Sequence, residues 1–192
     1  NFSITLTVAN QNLQQNATAT LSVSFLDPFA DVAGGSRYGT RVPPFRIART
    51  EVTGADWDEV RAWALKNGYS IGNATSTGPL HPAASLSWRD AARWCNARSE
   101  RDGLDPVYKV DGAVFRAGSA TPSADPAANG YRLPNEAEWA WAVRGGLQGG
   151  NFTYSGSNTL DAVAWFAANS GGQSRPVATK APNELGLHDM NG

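Results

Sequence analysis

Sulfur and imidazole are scarce in this chain. Its 192 residues include one cysteine, Cys95, one methionine, Met190, and two histidines, His81 and His188. A single thiol excludes an internal disulfide, a Cys-x-x-Cys redox pair and a thiolate zinc site. Two histidines far apart argue against a histidine-built metal centre. An excess of one charge is missing too: 16 basic residues face 17 acidic ones, for a net charge of −1. Such a balance leaves no electrostatic footprint for nucleic acid or an anionic membrane. No apolar run approaches ~18 residues, so no segment reads as a membrane span. Charged residues make up 17% of the chain, against a usual ~25%, while Gly, Ser, Thr and Asn abound. That mix points to a secreted protein with an extracellular or periplasmic surface. The chain opens on Asn1, with no charged and then apolar leader, and reads as a mature chain or a fragment.

What is present is aromatic. Seven tryptophans in a chain that is 41% apolar bury enough surface to exclude disorder and to build one domain core. Residues 1–26 read as an N-terminal β-strand arm. Phe2, Ile4, Leu6 and Val8 alternate with Ser3, Thr5 and Thr7, and Leu21, Val23 and Phe25 alternate with Ser22 and Ser24. Period-two alternation on both sides of the polar stretch 10–16 predicts two strands joined by a turn. From residue 27 to 192 the pattern becomes α+β with much irregular chain. Thr53 with Asp56, Ser87 with Asp90 and Asn135 with Glu138 each place an N-cap oxygen three residues before an acid, as a capping box does. They predict helices near 54–67, 88–101 and 136–143, stopped by Gly68, Gly103 and Gly145-Gly146. Expected core faces are Trp57, Val60 and Ala64 on the first helix, Ala91, Trp94 and Cys95 on the second, and Trp139, Ala142 and Val143 on the third. Trp141 is expected to stand off that last face. Asp111-Gly112 between 107–110 and 113–116 predicts a hairpin with a two-residue turn.

Several motifs carry a resemblance. They are Glu51-Val52-Thr53, the run Ser85-Leu86-Ser87-Trp88-Arg89-Asp90-Ala91 with Trp94-Cys95-Asn96, the block from Gly130 to Trp139 (GYRLPNEAEW), Arg144-Gly145-Gly146, and the final stretch Ala181 to Gly192 (APNELGLHDMNG). In this order and spacing the chain resembles the formylglycine-generating enzyme, or sulfatase-modifying factor, family. The resemblance implies a C-type-lectin-like fold, α+β with long ordered loops, over residues 27–192. It also implies an oxidase that converts a sulfatase cysteine to formylglycine with oxygen, using a cysteine pair that holds monovalent copper, an ion that soft thiolates suit. In the family that pair lies well beyond the Asp-Met-x-Gly motif at which this sequence stops. The domain is therefore expected to be C-terminally incomplete, with no copper site and no catalytic residue in this chain.

The other candidates favour scaffold over chemistry. Cys95, on the apolar face of the second helix, reads as a buried small hydrophobe. Glu136 and Glu138 read as helix-start acids, one closing the cap, and Arg132 as the partner of an acid or carbonyl that fixes its loop. His81 and His188 read as hydrogen-bonded loop residues, and no Ser-His-Asp order or GxSxG elbow is present. The family resemblance implies structural calcium held by loop carbonyls and Asn or Asp oxygens. Asn169 and Ser170 match the start of one such loop, which here lacks the later acidic ligand. A second calcium site of the family lies beyond Gly192. Asn-x-Ser/Thr sequons occur at Asn1, Asn16, Asn73 and Asn151, and Asn16, Asn73 and Asn151 are the expected glycosylation positions.

Two functions follow. The first is a non-catalytic extracellular structural or binding module on a lectin-like scaffold. It would take a glycan or protein ligand and self-assemble with copies of itself through strand addition by the N-terminal arm. The alternative is a fragment of a copper-dependent formylglycine-generating oxidase. The absence of a second thiol favours the first.

Overall fold

The computed structural model describes residues 2–10, 15–23, 27–37 and 39–192. β1 (Phe2–Asn10) and β2 (Gln15–Val23) pair antiparallel from Phe2↔Val23 to Asn10↔Gln15 and form a sheet of their own. The expected hairpin of the arm is present, and its turn at 11–14 lies outside the described residues, as does Phe25.

The rest is α+β. β3 (Phe29–Val32) pairs antiparallel with β6 (Phe45–Ala48), and β4 (Gly35–Arg37) with β5 (Thr40–Val42). α1 (Gly54–Lys66), α2 (Trp88–Arg101) and α3 (Glu136–Val143) follow the capping signals. Thr53 and Asn135 each cap the N3 amide while Asp56 and Glu138 return the bond to the cap amide. At Ser87 only half of the box forms, because Asp90 turns one oxygen to the Gly72 amide. β7 (Tyr108–Val110) and β8 (Ala113–Val114) form the expected hairpin. Asp111 and Gly112 carry φ of 50° and 80°, the left-handed pair that a two-residue turn needs. β9 (Ser123–Ala124) adds to the other edge of β7, a strand too short to show a period. Two single-turn helices, α4 (Leu160–Val163) and α5 (Ala167–Ser170), complete the order.

α2 is the central element. Only Trp94 and Cys95 of its expected face are fully buried, Ala91 being half-buried, while Ala92, Arg93, Asn96, Ala97 and Ser99 are buried too. Its first cluster joins Trp57, Val60 and Ala64 of α1 to Trp94, Tyr108 and Phe115. The Trp57 and Trp94 rings stack at 5.8 Å. Asn96 pins the hairpin: its amide nitrogen donates to Tyr108 O at 2.7 Å and its oxygen accepts from Tyr108 N at 2.9 Å. A buried amide so satisfied fixes one register, because any slip leaves polar groups unpaired.

A second pair of clusters joins β3, β5, β6, α3 and the terminal strap: Ala30, Ala142 and Leu187 in one, Val32, Val42 and Trp141 in the other. Here the expected face of α3 is corrected. Trp141 is 5% exposed and Trp139 48%. Trp141 lies under β4–β5 and donates its indole N–H to Ala33 O at 2.9 Å. Gly35 is required there, since a Cβ would come within 2.5 Å of the Trp141 ring. Apolar residues surround α3, so its own periodicity does not say which tryptophan the sheet covers. Trp88, at 50% exposed, is likewise not core.

Candidate functional site

Between the two sets of clusters runs a groove of about 1460 Å³. One wall is formed by Pro44 to Ala48, which includes all of β6, and by Thr50 to Val52. The opposite wall is α2 with Trp94, Cys95 and Arg98, followed by the loop 129–134. Glu138, Trp139, Val143 and Arg144 of α3 and its C-cap form the third side, and residues 188–192 close one end.

Aromatic rings and arginines dominate the lining. Arg98 lies over Tyr131 at 4.4 Å, and over Phe29 and Trp94 at 5.3 and 5.4 Å. Its buried Nε makes no hydrogen bond among the described residues but lies 3.7 Å from Asp102 Oδ2, an ion pair along α2 and its C-cap. Stacking between rings keeps a guanidinium charged while its flat faces are dry. Arg132 binds Glu138 through both terminal nitrogens, at 2.7 and 2.6 Å, and Glu138 also accepts the Asn135 amide at 2.9 Å. Both expectations for these residues hold. Hydrogen bonding from Arg132 keeps the Glu138 carboxyl below the usual carboxylate range against the opposing effect of burial.

Glu51 and Asp189 meet at the end of the groove. Burial first, and then the neighbouring Asp189, push the Glu51 carboxyl up to about 6. Asp189 Oδ2 accepts from the Ala178 amide at 2.7 Å, and its Oδ1 is buried without a partner among the described residues. Sequence reasoning missed this pair, because 138 residues separate its members and neither carries a local signal beyond its motif.

Cys95 is buried, and burial pushes its thiol up to about 12. A thiol held protonated is not a nucleophile or a soft-metal ligand at neutral pH. His81 Nδ1 lies 2.7 Å from Thr77 Oγ1 and 3.1 Å from Ser174 Oγ, and His188 Nδ1 lies 2.9 Å from Lys180 O. Both are hydrogen-bonded loop histidines. Asn73 and Asn151 are exposed in loops, while the side chain of Asn16 and all of Asn1 lie outside the described residues.

The profile of the sulfatase-modifying factor enzyme 1-like domain matches residues 13–192. The chain belongs to this family. The chaperone protein LppX of Paenibacillus barcinonensis is 35% identical over 175 residues, covering 77% of this chain and 59% of that protein. The chain thus spans about three-fifths of the length of this curated relative. The crystal structure of CarF superposes with a TM-score of 0.74 at 33% identity, covering 84% of this chain and 76% of CarF. The Treponema denticola variable protein 1 superposes with a TM-score of 0.58 at 26% identity, over 97% and 72% of the two chains. The fold is the family's C-type-lectin-like α+β fold.

The cofactors that the sulfatase-modifying factor family implies meet unequal donor sets. Copper needs paired thiolates, and Cys95 alone, buried and protonated, does not fit. Among the described residues no three His, Cys, Asp or Glu side chains gather. At the loop expected to hold calcium, Asn169 Oδ1 accepts the Phe166 amide at 2.8 Å, and Ser170 O accepts Arg175 at 2.7 Å. Those oxygens serve the loop itself, so the set does not fit a cation. No helix among the described residues is long and apolar enough to cross a membrane.

Proposed function

We propose that this member of the sulfatase-modifying factor family is a non-catalytic binding module whose groove holds an extended segment of another polypeptide. The observation that carries this reading is the groove itself: an open trough lined by rings and arginines, beside the chain's single thiol held buried and protonated. An apolar trough with a few placed charges suits a peptide, whose alternating side chains bury apolar area while its backbone keeps hydrogen bonds. The relative named a chaperone supports the same reading.

A secreted setting, glycosylation at Asn73 and Asn151, and self-assembly through residues 1–26 belong to this proposal. Their support is the low charge, the exposed sequons, and two strands that pair with no third strand among the described residues.

Binding is tested with fluorescent peptides of alternating apolar sequence, titrated with the whole chain and with Trp139→Ala. Saturable binding that the substitution weakens supports the module. No binding by any peptide overturns it.

A further inference from the structure

Three asparagines of the chain precede a glycine: Asn67-Gly68, Asn129-Gly130 and Asn191-Gly192. In such a pair the next backbone nitrogen can reach the asparagine side chain, because glycine has no Cβ to block the approach. The structure separates the three. Asn129 Oδ1 accepts the Asp105 amide at 2.8 Å, and Gly130 is hemmed in, since a Cβ there would collide with Asp105 O and Ser99 Oγ. Asn191 is held at both ends of its amide: Oδ1 accepts from Ser155 N at 2.9 Å and Nδ2 donates to Ser155 O at 3.3 Å. Gly192 N is engaged too, donating to Asp189 O at 3.3 Å.

Asn67 is different. It is the C-cap of α1, at φ −113° and ψ 26°, and it is exposed together with Gly68. Its Nδ2 donates to Trp63 O at 2.8 Å, the one bond its side chain makes among the described residues. The Gly68 amide makes no hydrogen bond among them, and a Cβ at Gly68 would meet nothing within 4 Å. Gly68 carries φ of 80° just past the helix end, where a helix frays first. Turning ψ of Asn67 to bring Gly68 N onto Cγ therefore breaks no bond made by the attacking nitrogen. The main-chain carbonyl of Asn67 is held by Arg116, whose Nη1 donates to it at 3.0 Å and to Glu100 at 2.7 Å. Neither Asn67 nor Gly68 lines the groove.

We infer that Asn67-Gly68 is a self-modification site at which Asn67 converts to isoaspartate. Gly68 N gives up its proton to solvent and attacks Asn67 Cγ. The Cγ–Nδ2 bond breaks, and ammonia leaves with one proton returned by solvent. Water then opens the five-membered imide. Addition at the former main-chain carbonyl leaves the chain running through Cγ and frees that carbonyl carbon as a carboxylate. Arg116 already donates to this oxygen, so its charge favours water at that carbon and stabilises the carboxylate formed there. Addition at Cγ instead gives aspartate. Its carboxylate would face Trp63 O without the hydrogens of the amide, at a helix C-terminus that disfavours an anion. The isoaspartyl link lengthens the backbone by one carbon between α1 and Tyr69. The Tyr69 ring lies in the first core cluster, and its amide donates to Ala64 O at 3.0 Å.

The experiment incubates the whole chain at neutral and at mildly alkaline pH and samples it over weeks. Peptide mapping by mass spectrometry follows the amide-to-acid mass gain at each asparagine, and electron-transfer fragmentation separates aspartate from isoaspartate. The expected result is that Asn67 converts several-fold faster than Asn129 or Asn191, and faster at the higher pH. Its isoaspartate fraction should exceed that of a free synthetic peptide of residues 63–71, and Arg116→Gln should bring the fraction down to the peptide's. Gly68→Ala, whose Cβ enters open space, should slow conversion several-fold. The converted fraction should exchange the Tyr69 amide faster. An Asn67 that stays intact, or that Asn129 or Asn191 matches, overturns the site. An equal isoaspartate fraction in chain and peptide overturns the part assigned to Arg116, and that comparison stands even if Arg116→Gln fails to fold.

Discussion

Arg132 holds Glu138 with both ends of its guanidinium while Glu138 closes the cap of α3, so one carboxylate serves a loop and a helix start together. The pair sits on the wall of the groove, with Glu138 4% exposed. Truncating either partner leaves the other with unmet hydrogen bonds, which costs more than the pair's net worth.

Glu138→Gln should therefore lower stability at neutral pH by about 1–3 kcal/mol. The carboxyl is held below its ordinary value of 4.5. A group whose pKa falls on folding contributes in full above its unfolded value and loses that contribution as pH falls through the folded one. Urea unfolding from pH 7 downward should show the wild type losing stability below about pH 5, with a shallower slope in Glu138→Gln. Parallel slopes would show that Glu138 is not the titrating group.

Trp141→Ala should cost roughly 3–5 kcal/mol, because the ring is buried and the cavity cannot fill. Asn135→Ala should cost on the order of 1 kcal/mol by loss of the N-cap. Trp139→Ala should cost less than either in stability and act on peptide binding. A denaturation series that ranks Trp139 above Trp141 would contradict the burial of α3.

Cys95 should resist alkylation in the folded chain and react on unfolding, because its thiol stays protonated and enclosed. The chain should also leave a sulfatase-type cysteine peptide unconverted in the presence of copper and oxygen. Mass spectrometry reads both. A gain of formylglycine would mean that one thiol suffices or that another chain supplies the second.

Deletion of residues 1–26 should shift the chain to smaller species in sizing and electron microscopy. Two strands alone are marginal in water, and an unpaired sheet edge recruits another chain. A truncated protein that assembles as the intact one does would show that the arm is not the connector.

The sequence by itself determined the parts whose causes are local. Thr53, Ser87 and Asn135 start the helices where their side chains reach the next amides, and Asp111-Gly112 turns the hairpin because both positions tolerate positive φ. The family motifs did the same for the fold, and Cys95, Glu138 and Arg132 took the places their motifs implied. Tertiary structure alone decided what depends on partners far along the chain. β3, β6 and β9 run for four, four and two residues, too few to show a period, and pair only because packing brings them together. Trp139 and Trp141 look alike in sequence, and the sheet that covers one leaves the other facing the groove. Glu51 and Asp189 become neighbours only when the strap at 183–192 folds back. Asn183 holds that strap with bonds to Ala142 O and to the amides of Leu185 and Leu187. Local hydrogen bonds are written in adjacent residues, whereas a groove is the space that separate elements leave between them.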